Sequence, residues 1–77
     1  MNIEWRRNEN HPSCYDMFID DQYAHACVQD AGLSWHALQF MHNGSVTARP
    51  TKEDAQNYLI AQLVQRRLDG KPNWRTL

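Results

Sequence analysis

The stretch Cys14–Cys27, CYDMFIDDQYAHAC, predicts the β-hairpin around which the rest of the fold is arranged. Its two apolar runs flank Asp20-Asp21, and a two-residue loop there pairs residues whose numbers add up to 41. In this register three pairs share one face, namely Cys14 with Cys27, Asp16 with His25, and Phe18 with Tyr23. The opposite face carries mostly apolar side chains, which we assign to the core: Tyr15, Met17, Ile19, Ala24, Ala26 and Val28.

Strands on both sides of this hairpin extend the predicted sheet. The segment Ile3–Arg7 alternates apolar and polar residues, which is typical of a half-buried strand. A further strand over Ser34–Met41 leads to Asn43-Gly44, a dipeptide that predicts a second hairpin because both residues tolerate positive φ. The segment Ser45–Arg49 then returns as the last strand.

One long helix follows the sheet. Pro50 ends the last strand, and the Thr51 hydroxyl is placed to accept a hydrogen bond from the amide of residue 54 at a helix N-terminus. We predict a helix over about residues 52–68, stopped by Gly70 and Pro72. The chain is therefore expected to be a single α+β domain over residues 1–77, with four to five short antiparallel strands in about 2–49, the helix packed on one sheet face, and a short tail at 69–77.

Composition narrows the classes of function. Hydrophobic residues make up 42% of the chain and charged residues 22%, as expected of a folded domain. The sequence has no apolar run long enough for a membrane span and no N-terminal secretory pattern, so we expect a cytoplasmic protein. Eight Lys and Arg are scattered among nine Asp and Glu, which argues against direct nucleic-acid binding and favours a protein partner or a small ligand.

The two cysteines allow four interpretations. A disulfide is disfavoured in the reducing cytoplasm. A zinc site built from His11, Cys14, His25 and Cys27 has a spacing unlike standard zinc motifs, and a triad of Cys27, His25 and Asp16 lacks a cleft and oxyanion donors. We favour a structural role, with two free thiols, a weak cross-strand pair of Asp16 with His25, and neither metal nor cofactor.

A single helix covers only one face of such a sheet, so the other face is free to meet a partner. Two adjacent aromatic rings on that face are typical of a protein-binding surface. A homodimer formed through the face would use the same side chains. The predicted partner-binding residues are those of the hairpin and, as a second contact, the basic end of the helix: Asp16, Phe18, Tyr23, His25, Arg66 and Arg67.

The stretch from residue 33 to residue 63, LSWHALQFMHNGSVTARPTKEDAQNYLIAQL, resembles small phage and prophage proteins in its order of strand, glycine turn and closing helix. Several anti-CRISPR inhibitors look like this. The resemblance implies a non-enzymatic inhibitor that binds a large host defence complex and blocks nucleic-acid entry or nuclease recruitment. Small antitoxins look similar and supply the alternative function. A third possibility is a thiol-dependent or zinc-dependent activity that uses Cys14, Cys27 and His25.

Overall fold

The computed structural model describes residues 2–40 and 44–68, with side chains described as far as Val64. These residues form one sheet of five antiparallel strands, whose spatial order follows the chain, and one helix. The elements are β1 (Ile3–Arg7), β2 (Cys14–Ile19), β3 (Gln22–Asp30), β4 (Trp35–Gln39), β5 (Ser45–Arg49) and α1 (Lys52–Leu68). The predicted α+β fold, with a single C-terminal helix packed against the sheet, is confirmed.

The core lies between α1 and the sheet. The helix contacts β3, β4 and β5, and its buried residues Ala55, Leu59 and Leu63 recur every four residues, which places them on one helix face. From the sheet, the alternate residues that were assigned to the core all point toward this side. Met17, Ile19, Ala24, Ala26 and Val28 are buried there, and Tyr15 is partly buried beside them.

The loop of the β2–β3 hairpin is centred on Asp20-Asp21, as predicted. Both residues have positive φ, 50° and 68°, which is the backbone of the tight turn whose twist matches that of two antiparallel strands. Next to the loop, Phe18 pairs with Tyr23 and Ile19 with Gln22. The first part of the predicted register is therefore correct.

Farther from the loop the predicted register is wrong. Cys14 pairs with Gln29 and not with Cys27, and Asp16 pairs with Cys27 and not with His25. The reason is a β-bulge in β3, where three residues, 24–26, lie opposite the single residue Met17. The central residue of the bulge has a φ of 54°, and its carbonyl accepts a hydrogen bond of 2.9 Å from the Phe40 amide. Because two extra residues are inserted, the alternation of faces is preserved beyond the bulge.

The start of α1 follows the predicted capping. The Thr51 hydroxyl accepts a hydrogen bond of 3.1 Å from the amide of Asp54, and Glu53 and Asp54 place negative charge at the positive end of the helix dipole. The observed bounds, Lys52–Leu68, match the predicted range. No helix in the described residues is long and apolar enough to span a bilayer. The predicted tail at 69–77 lies outside the described residues.

Candidate partner-binding face

The face of the sheet that points away from α1 is called here the open face. Cross-strand pairing shows which side chains are neighbours on this face. Between β1 and β2, Glu4 lies beside Phe18 and Arg6 beside Asp16. Leu38 of β4 lies between Cys27 of β3 and Val46 of β5. Within the part of the chain that the structure describes, neither a helix nor a further strand covers this face. The four hairpin side chains that were predicted to bind a partner all belong to the open face: Asp16, Phe18, Tyr23 and His25.

A row of three rings in contact with one another crosses the open face from β2 to β3. The Phe18 and Tyr23 ring centroids are 5.7 Å apart and those of Tyr23 and His25 are 4.8 Å apart, both with tilted planes. Such tilted pairs are favourable because the positive edge of one ring meets the negative face of the next. All three side chains are half-buried, so each ring also keeps a solvent-accessible part. The row is thus a preformed surface.

Arg6 of β1 extends this row by one member. Its guanidinium carbon lies 4.0 Å from the centroid of the Phe18 ring, which is a cation–π contact. The same guanidinium makes ion pairs with Glu4 and with Asp21 of the hairpin loop. The hydrogen bond that Arg6 donates to Asp21 raises the pKa of Arg6 above its ordinary value. Arg6 was not among the predicted site residues, since only the pairing of β1 with β2 places it on Phe18.

Asp16 does not form the predicted pair with His25. Its cross-strand partners are Arg6 on one side and Cys27 on the other, and its carboxylate accepts a hydrogen bond of 3.0 Å from the side-chain amide of Asn8. The bulge moves His25 toward Tyr23, on whose ring it lies. The two residues share the open face without acting as a charge pair.

The cysteines are buried although they belong to the open face. Cys14 is 8% and Cys27 3% exposed, and both are free thiols. Burial raises the pKa of the Cys27 thiol to about 12, and the nearby Cys14 and Asp16 add to the shift because they disfavour a second negative charge. Burial raises the pKa of Tyr23 to about 12 as well, with Asp16 as the next contributor. A thiol with such a pKa stays protonated at neutral pH and is a poor nucleophile.

The two chemical alternatives for these residues make different geometric demands. In a triad, His25 would have to orient and deprotonate Cys27; the contact that the structure gives for the His25 ring is with Tyr23. A zinc site would require His11, Cys14, His25 and Cys27 to converge. Among the described residues, no three His, Cys, Asp or Glu side chains are grouped so that they could hold a metal ion.

The β4–β5 half of the open face carries apolar side chains that the sequence analysis did not single out. Leu38 is half-buried between Cys27 and Val46, and Val46 is 63% exposed. Phe40, which follows β4, is 54% exposed. Ala37 and Gln39, which alternate with them, are buried, so residues 38 and 40 point to the open face.

The second predicted contact, Arg66 and Arg67, falls in the last turns of α1, and these side chains lie outside the described part of the chain. The open face is therefore the part of the predicted site whose geometry the structure gives. Comparisons of the chain with protein-family models, with known proteins and with solved structures found no match in any of the three.

Proposed function

We propose that this chain is a non-enzymatic binding module that recognises a protein partner through the open face. The observation that carries the proposal is the row of Arg6, Phe18, Tyr23 and His25 across three strands. Aromatic rings and arginine dominate the binding energy of protein interfaces because they bury much surface at a small cost in conformational entropy. Here the cost is smaller still, since contacts within the row already hold each side chain.

The charges around the row favour a protein surface over an acidic polymer as the partner. The guanidinium of Arg6 is compensated by Glu4 and Asp21, so the row does not offer a free cation to a phosphate backbone. Apolar Leu38 and Val46 continue the surface on the neighbouring strands. An aromatic centre with an apolar flank and a compensated charge is the composition of a protein-binding patch.

The state of the buried thiol supports binding rather than catalysis. Catalytic cysteines have a lowered pKa and an accessible thiolate, whereas the pKa of Cys27 is raised to about 12 and its side chain is buried. Under this proposal both cysteines act as small apolar residues that pack on the open face beside the row.

The proposal is tested by comparing the tagged wild-type chain with a Phe18→Ala, Tyr23→Ala double variant and with Asn57→Ala. Asn57 is exposed on the helix, on the other side of the sheet, and serves as the control. A partner captured from a bacterial lysate should bind the wild type and the control alike. The double variant should bind it about 30-fold more weakly, because two central rings are removed.

Equal affinity of all three folded proteins would place the site on another surface. If the captured partner is a second copy of the chain, the same double variant should be monomeric in sedimentation experiments at concentrations at which the wild type is dimeric. Cooperative urea unfolding of the double variant shows that a loss of binding reflects the rings and not the fold.

In its most specific form, the proposed partner is a CRISPR effector complex, which this chain would inhibit as a phage-encoded, stoichiometric inhibitor in the host cytoplasm. The support for this form is the resemblance in element order around Trp35–Leu63. Its test is plasmid interference in cells that carry an active CRISPR system. Expression of the wild type, but not of the double variant, should restore plasmid transformation. Unchanged interference with every effector type would reject this form and leave the binding proposal to the capture experiment.

A further inference from the structure

A cleft lies at one end of the helix-facing side of the sheet, away from the open face. It has a volume of about 340 Å³, near the lower end of the range found for small-ligand sites. It is lined by Arg7, Pro12, Ser13, Tyr15, Asp30 and Trp35. A second cleft of about 350 Å³ shares Arg7 and Pro12 with it and is also lined by Asn8 and Glu9 of the β1–β2 connection.

Two aromatic rings form the apolar part of the cleft. The centroids of Tyr15 and Trp35 are 6.3 Å apart, with their planes tilted by 39°. Both side chains are only partly buried, although they pack against the core. The accessible part of such a ring pair favours a flat ligand that stacks against it, such as a nucleobase.

Two cations lie beside these rings: Arg7 lines the cleft, whereas Lys52 does not line it but lies over both rings. The Lys52 ammonium lies 3.7 Å from the Tyr15 centroid and 5.8 Å from that of Trp35. Arg7 is the cross-strand partner of Tyr15, and its Nε donates to the carbonyl of Pro12, which also lines the cleft, at 3.0 Å. In the described part of the chain neither cation has an ion-pair partner. They are therefore available to a phosphate group.

Asp30 contributes a negatively charged hydrogen-bond acceptor to the cleft. One of its carboxylate oxygens accepts a hydrogen bond of 2.9 Å from the Gly32 amide, which orients the group, and the carboxylate lines the cleft beside Trp35. A carboxylate repels a ligand that is only anionic. It accepts hydrogen bonds from hydroxyl or amino donors, which a ribose and a base both carry.

From these three features we propose that the cleft binds a nucleoside monophosphate. The base stacks on Trp35, the phosphate is held by Arg7 and by Lys52, whose ammonium lies on the Tyr15 ring, and a ribose hydroxyl or base amino group donates to Asp30. This site is independent of the open face, from which it is separated by the sheet. It also agrees with the balanced charge of the chain, which favours a small ligand over a nucleic-acid polymer.

The test is a titration of the full chain, followed by its amide and indole resonances in NMR spectra, with three probes: adenosine 5′-monophosphate, adenosine and inorganic phosphate. The nucleotide should shift the indole resonance of Trp35 but not that of Trp5, and should bind at least about tenfold more tightly than either other probe, since each of them satisfies only half of the site. Arg7→Gln and Lys52→Gln should each weaken nucleotide binding about tenfold and leave adenosine binding within about twofold.

Arg49→Gln is the control for charge alone, because Arg49 is the cross-strand neighbour of Trp35 but its guanidinium lies over Tyr58 and lines neither cleft. It should change nucleotide affinity by less than about twofold. The proposal is overturned if the nucleotide causes no saturable shift up to about 10 mM, or if inorganic phosphate binds as tightly as the nucleotide. It is also overturned if both cleft variants keep wild-type affinity. The spectra report folding of every variant, and the comparison of the three probes needs no variant at all.

Discussion

The bulge at His25 can be tested by a pair of substitutions whose relative stability changes sign with backbone conformation. At a φ of 54° a Cβ atom is close to the following carbonyl, which costs about 1 to 2 kcal/mol for a residue other than glycine. In an ordinary strand the order is reversed, since glycine is about 0.5 to 1 kcal/mol less favourable than alanine because of its greater freedom in the unfolded chain. His25→Gly should thus be more stable than His25→Ala by up to about 1 kcal/mol.

The loss of the ring contact with Tyr23 does not affect this comparison, because both substitutions remove the imidazole. Gln29, four residues along the same strand and regularly paired with His36, provides the control. There, Gln29→Gly should be less stable than Gln29→Ala by about 0.5 to 1 kcal/mol. The glycine-minus-alanine difference is therefore expected to change by about 1 to 2 kcal/mol between the two positions.

Urea unfolding, followed by circular dichroism, gives all four free energies of unfolding on one scale. If glycine is worse than alanine at position 25 by the same margin as at position 29, residue 25 is in an ordinary strand conformation. The register beyond Phe18–Tyr23 would then have to revert to the one in which Asp16 faces His25. That result would refute the placement of Cys27 beside Asp16.

Three further outcomes follow from the packing, the helix cap and the thiol. Leu59→Ala should lower the free energy of unfolding by about 3 to 5 kcal/mol in urea titrations, because Leu59 is fully buried. Asn57→Ala should change it by less than about 0.5 kcal/mol. Similar values for the two variants would show that the buried face of the helix is assigned wrongly. Thr51→Ala should lower the stability of the fold by about 1 kcal/mol and Thr51→Ser by only a few tenths, as measured by thermal melts, since only serine keeps the capping hydroxyl. Equal losses of stability would show that the hydroxyl does not cap the helix. The pKa of Cys27, raised from 9.0 to about 12, predicts stability that is complete below pH 9 and is lost as the pH rises toward 12, because the unfolded thiol releases its proton first. Cys27→Ala should flatten that decline in unfolding experiments across this range, and an unchanged slope would contradict the shift.

The local sequence pattern was sufficient to predict the strands and the helix and to predict which residues of each share a face. Asp20-Asp21 tolerates the positive φ of a tight turn, and the alternation around it separates Met17 and Ala24 from Phe18 and Tyr23. The Thr51 cap also depends on residues close in sequence. Each of these features is governed by backbone and side-chain preferences over a few residues, and for that reason the α+β fold was predictable.

What only the tertiary structure decided is the register beyond the first pairs and the contacts between distant residues. The bulge at His25 involves the amide of Phe40, which follows β4 and lies outside the hairpin sequence that set the predicted register. Burial of Cys27 on the uncovered side of the sheet likewise depends on its neighbours across strands. Arg6 reaches Phe18, and Lys52 reaches Tyr15 and Trp35, because strand order and the helix start bring them together. Such contacts are set by the packing of the whole domain, which selects one arrangement from several that the local sequence allows.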